Sequence, residues 1–96
     1  MGEDKLYGET FSFRLPPNAY FLEYTNSRKL RDGETVCVWD RTDPGVKGRG
    51  RTQGNQWIIE NVTQSDAGQY RLNDQNQRGI YIYHLSVSGQ AFIFSF

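Results

Sequence analysis

Residues 57–72 read Trp57-Ile58-Ile59-Glu60-Asn61-Val62-Thr63-Gln64-Ser65-Asp66-Ala67-Gly68-Gln69-Tyr70-Arg71-Leu72. The stretch opens on a β-rich apolar run, Trp57-Ile58-Ile59, that closes at Val62. It ends on Tyr70-Arg71-Leu72, where apolar and polar residues alternate with the period of a half-buried strand. A polar segment carrying Asp66 and Gly68 lies between them. Two strands and a short connection are therefore expected here.

The same alternation recurs on both sides. Phe11, Phe13 and Leu15 alternate with Thr10, Ser12 and Arg14. Tyr20, Leu22 and Tyr24 alternate around Phe21 and Glu23. Thr35-Val36-Cys37-Val38-Trp39 is a short β-rich run. Residues 80–87 form the longest strand signal, rich in side chains that suit a pleated surface. Turn residues separate these runs: Pro16-Pro17-Asn18, Asp32-Gly33, Asp43-Pro44-Gly45, and residues 73–79 as a hairpin loop. No stretch of about ten residues shows a helical stripe. Six or seven short strands at this spacing predict an all-β sandwich. Residues 1–89 form its one domain, and residues 90–96 a hydrophobic tail or the start of a linker.

Composition narrows the function. Eleven basic and eleven acidic side chains cancel, which argues against a dedicated nucleic-acid binder. The apolar run Ala91-Phe92-Ile93-Phe94 falls far short of the roughly 20 residues that span a bilayer. Met1-Gly2-Glu3-Asp4 is acidic where a secretory signal would be basic. A single Cys excludes an internal disulfide, and one Cys with one His excludes a Cys/His zinc cage. No metal or other cofactor is implied.

The stretch from Trp57 to Leu72 resembles the E–F region of an immunoglobulin domain. That family's pattern is a phased apolar strand followed by Asp-x-Gly-x-Tyr-x-Cys, and Asp66, Gly68 and Tyr70 match it. The resemblance spans roughly residues 8–88 and implies a two-sheet Greek-key sandwich. It implies that Tyr70 forms a tyrosine corner, that Gly68 sits where bulk is not tolerated, and that Asp66 pairs with Arg49 or Arg51. Both family disulfide positions hold leucine here, Leu15 and Leu72. A disulfide closing about 57 residues would contribute roughly 4 kcal/mol. Two buried leucines contribute roughly 1.5–3 kcal/mol each, so a hydrocarbon bridge can replace it. The strand C Trp of the family is absent, which leaves its space to Leu22 or Tyr24. Membrane-distal, V-like domains of CD2 and signalling-lymphocyte-activation-type receptors commonly lack the disulfide. The chain resembles them, and "Asp-x-Gly-x-Tyr-x-Leu" looks like their F strand. Disulfide-free immunoglobulin domains also occur in muscle and cytoskeletal proteins.

The resemblance implies a non-enzymatic recognition domain of a cell-surface adhesion or immune receptor. Its partner would be a protein, another immunoglobulin-like domain or a second copy of itself, met through the sheet of strands G, F, C and C′. Neither nucleic acid nor, apart from segments outside this sequence, membrane would be bound. The alternative is an intracellular structural module of a filament protein, hence a cytoplasmic address. Strand parity from Leu22, Val36, Val38, Tyr70, Leu72, Tyr81, Tyr83, Leu85 and Val87 inward puts Phe21, Glu23, Cys37, Trp39, Arg71, Asn73, Ile80, Ile82, His84 and Ser86 outward. Phe21, Trp39 and Ile82 are the expected anchors of a partner-binding face; Glu23, Arg71 and His84 would set its electrostatics. The bland reading is a solvated sheet. Asn61-Val62-Thr63 is a glycosylation sequon made of ordinary turn residues. Cys37 reads as a small hydrophobe on a strand; a Cys37–His84 dyad fails because their strands lie about 14 Å apart. The basic clusters at 28–31 and 47–51 read as solvated loops. The Phe-rich tail, left exposed, would favour self-association.

Overall fold

The computed structural model describes residues 2–28, 34–43, 45 and 48–89. The Asp32-Gly33 turn, most of the first basic cluster, Lys47 of the second, and the tail lie outside them. The strands are β1 (Gly2–Leu6), β2 (Phe11–Arg14), β3 (Phe21–Asn26), β4 (Val36–Asp40), β5 (Arg51–Gln53), β6 (Gln56–Ile59), β7 (Gly68–Asn73) and β8 (Gly79–Ser88). They form a five-stranded sheet in the order β1-β8-β7-β3-β4 and a three-stranded sheet in the order β2-β6-β5. In the lettering of immunoglobulin folds these sheets are A′GFCC′ and BED. The all-β, two-sheet sandwich expected from the alternation is present.

Alternation explains the core. Phe11 and Phe13 of β2 stand opposite Ile59 and Trp57 of β6, so four large apolar side chains leave one sheet on one face. Leu22, Tyr70, Leu72, Leu85 and Val87 meet them from the other sheet in one buried cluster. Leu15 and Leu72 belong to that cluster, 8% and 0% exposed, so hydrocarbon fills both positions to which the resemblance assigns the family's cysteines. Leu22 is fully buried and Tyr24 packs 4.7 Å from Tyr70, as the missing strand C Trp required. The centre is also filled from the opposite layer, which the sequence reading did not anticipate. Trp57 lies 5.4 Å from both Phe13 and Tyr70. Gly50 makes room for it, since a Cβ there would stand 2.0 Å from the Trp57 ring.

The link from β6 to β7 is held as the resemblance implied. The Tyr70 hydroxyl donates to the Asp66 carbonyl oxygen at 2.6 Å from a buried position. The Asp66 carboxylate is itself buried and receives Arg49 Nε and Nη2, each at 2.9 Å, and the Thr63 amide at 2.9 Å. A buried charge persists only when paired in this way. Arg49 is thus the partner; Arg51 pairs with Glu60 instead. Gly68 has φ 150°, and a Cβ on it would approach the Thr25 carbonyl oxygen to 2.2 Å.

Two strands were not read from the alternation, β5 and β1, both polar. β1 is polar, Gly2-Glu3-Asp4-Lys5-Leu6, yet pairs parallel with β8 from Gly2↔His84 to Leu6↔Ser88. Glu3 and Lys5 stand opposite the inward-facing Leu85 and Val87. Inward charge on an edge strand discourages pairing with another chain, and the same charge hides the strand from a hydropathy reading.

Candidate binding face

The outer face of the five-stranded sheet is built by register. Glu23 of β3 stands opposite both Arg71 of β7 and Cys37 of β4, and Arg71 stands opposite Ile82 of β8. Cys37, Glu23, Arg71 and Ile82 therefore form one row across four strands, because directly paired residues share a face. Phe21 heads the next row, opposite Asn73 and Asp40. His84 lies opposite Gln69, two positions from Ile82 and on the same side. Five of the six expected face residues, Phe21, Glu23, Arg71, Ile82 and His84, are together.

Trp39 is not among them. The pairing of β3 with β4 shifts between Leu22 and Glu23, so Leu22 meets Trp39 while Glu23 meets Cys37. Val38 is the extra residue of this bulge, and a bulge breaks alternation. Trp39 consequently faces inward and packs against the core. It lines a cleft of about 230 Å³ between the sheets with Leu15, Thr52 and Asn55. The Arg41 guanidinium lies 5.5 Å from its ring and 5.2 Å from that of Tyr20. A second shift, between Leu72 and Asn73, leaves Ile80 outside the ladder. Ile80 then packs against the core instead of pointing outward.

The electrostatics of the face centre on a residue that the sequence reading turned outward but left out of the face. Asn73 is 3% exposed. Its Nδ2 donates to Glu23 Oε1, and its Oδ1 accepts from Arg71 Nε at 3.1 Å. The one available signal was Asn at an outward strand position, a residue type depleted in strands. Phe21, Glu23, Cys37, Asp40, Asn73 and Gln77 surround a shallow concavity of about 260 Å³. The exposed Cys37 thiol donates to the Trp39 carbonyl oxygen at 3.2 Å. Three strand intervals separate β4 from β8, which keeps Cys37 and His84 out of contact.

Asn61 is exposed with φ 54°, between β6 and the Gln64–Asp66 turn. Its carbonyl oxygen receives Arg49 Nη2 at 2.8 Å.

Comparison with solved structures places this sandwich among immunoglobulin domains. The first Ig domain of the mouse polymeric immunoglobulin receptor is similar over 97% of this chain and 93% of that one, with a TM-score of 0.61 and 18% identity. The CD2-binding domain of CD58, lymphocyte function-associated antigen 3, matches over 90% of this chain and 52% of that one, with a TM-score of 0.50 and 18% identity. The N-terminal four Ig domains of Dscam1 isoform 4.4 match over 91% of this chain and 22% of that one, with a TM-score of 0.59 and 15% identity. No family model and no curated protein sequence matches the chain. The molecule has an immunoglobulin-type fold, V-like in its A′GFCC′ sheet, without the intersheet disulfide. Its structural neighbours include domains of cell-surface receptors and adhesion molecules.

Proposed function

We propose that this chain is a non-enzymatic recognition domain of a cell-surface adhesion or immune receptor, docking a protein partner on the outer A′GFCC′ face. The observation that carries the reading is the row Glu23–Arg71–Ile82 flanked by Phe21 and His84. It sets two apolar anchors among opposite charges on a rigid sheet, the composition of a specific interface. Trp39 is withdrawn from the anchors. The partner is another immunoglobulin-like domain, with a second copy of this chain among the candidates. Glu23 and Arg71 lie on adjacent strands, so a twofold axis between two such faces would set each against the other's counterpart. The match to the CD2-binding domain of CD58 supports a face used for protein recognition. The address is extracellular, and Asn61 would carry a glycan on the side away from the face. The unpaired Cys37 favours the second reading, a structural module in a reducing compartment.

The test uses multimers of the domain on cells that display immunoglobulin-domain ectodomains, this chain included. Wild-type multimers are expected to stain at least one of them. Phe21→Ala and Arg71→Glu should abolish staining, while Ser12→Lys on the outer face of the three-stranded sheet should not. Staining that survives Arg71→Glu but fails with Ser12→Lys would move the interface to the other sheet. Secretion with a glycosidase-sensitive mass that Asn61→Gln removes would support the extracellular address.

A further inference from the structure

Glu23 and Arg71 stand directly opposite each other, the geometry in which a cross-strand ion pair forms by default. It does not form. Asn73 takes the Glu23 carboxylate with its amide nitrogen and the Arg71 Nε with its amide oxygen. Among the described residues no carboxylate is ion-paired with Arg71, and its two Nη nitrogens make no hydrogen bond. The guanidinium lies across Gly79, where a Cβ would stand 3.4 Å from Nη2 and 3.5 Å from Nε. Gly79 does not have a positive φ, so what its missing side chain provides is space. Arg71, Gly79, Ile80, Tyr81 and Ile82 surround a concavity of about 470 Å³ without an acidic residue.

We propose that Arg71 is a preset socket for a carboxylate, an Asp or Glu side chain of the protein partner with an apolar residue beside it. Asn73, nearly buried, fixes the guanidinium through Nε and diverts the one acid that would neutralise it. The remaining edge of the guanidinium presents parallel donors in the geometry that a carboxylate accepts. Ile82, directly opposite Arg71 and on the same side of the sheet, supplies the apolar rim. A preorganised fork loses less freedom on binding than a mobile cation. This inference rests on the face assignment above, and it adds that the partner's central contact is acidic.

The experiment titrates the isotope-labelled domain with N-acetyl-Glu-Leu-amide and, separately, N-acetyl-Gln-Leu-amide at matched ionic strength. Nuclear magnetic resonance follows the Arg71 Nε–H and the amides of residues 79–82. The Glu peptide is expected to give saturable shifts with an affinity at least about tenfold above the Gln peptide. Arg71→Gln should remove the difference. Gly79→Val, which keeps the charge and fills the space, should weaken binding of the Glu peptide by a similar factor. Equal shifts from the two peptides, or a difference that persists in Arg71→Gln, would overturn the socket. A socket that fails while Phe21→Ala still abolishes multimer staining leaves the face reading standing. A socket that binds the Glu peptide while multimer staining ignores Arg71→Glu sinks the face reading.

Discussion

At position 68 a methyl group has nowhere to go. The Thr25 carbonyl oxygen would lie 2.2 Å away and φ is 150°, a value that L side chains rarely adopt. Gly68→Ala should therefore cost about 3 kcal/mol through strain and overpacking, read as a lowered urea midpoint. Tyr70→Phe keeps the ring and loses the hydroxyl's bond to Asp66, for a cost of about 1–2 kcal/mol in the same assay. Leu72→Ala should cost about 2–5 kcal/mol, since it opens a cavity where no crosslink holds the sheets. Gly68, Tyr70 and Asp66 were legible through the Asp-x-Gly-x-Tyr resemblance, whose residues meet recurrent requirements: a backbone with no room, a turn carbonyl needing a donor, a carboxylate needing a base. Asn73 was not, because its partners arrive from two neighbouring strands and only register brings them together.

Between neighbouring strands, two one-residue shifts redraw the face. Alternation assigns sides correctly along β2, β3 and β7, which carry no extra residue themselves, and for Val36, Cys37 and Val38. It fails at Trp39, next to the extra residue Val38, and at Ile80, itself the extra residue of the second shift. The extra residue is a property of the pair of strands, so neither strand's own pattern records it. Trp39→Ala should accordingly lower stability by about 2 kcal/mol and leave partner binding per folded molecule unchanged. Phe21→Ala should do the reverse, with thermal melting and multimer staining measured on the same preparations. Loss of staining in Trp39→Ala at full folding would return Trp39 to the interface. β1 escaped notice for a related reason. An edge strand that stays soluble through charge looks like a loop to any reading based on hydropathy.

For the molecule as a whole, buried phenols set the alkaline limit. Burial is the main cause raising Tyr24, Tyr70 and Tyr83 above the ordinary tyrosine value, with neighbouring phenols and acids adding to it. Below about pH 10 both folded and unfolded chains hold these protons, and the stabilising difference is fully present. Above it the unfolded chain releases protons that the native state retains, so stability falls as pH rises. For the deeply buried Tyr70 the slope is about 1.4 kcal/mol per pH unit at most. Tyr70→Phe should flatten the decline between pH 10 and 11, measured by urea midpoints across pH, though it starts from a lower value. The parallel ladder between β1 and β8 bears on how the sandwich meets force. Tension that drags the start of β1 one way and the end of β8 the other runs along both strands. The bonds from Gly2↔His84 to Leu6↔Ser88 are then sheared together rather than peeled one after another. A tethered copy of this domain would resist stretching through that short ladder before any part of the core is exposed.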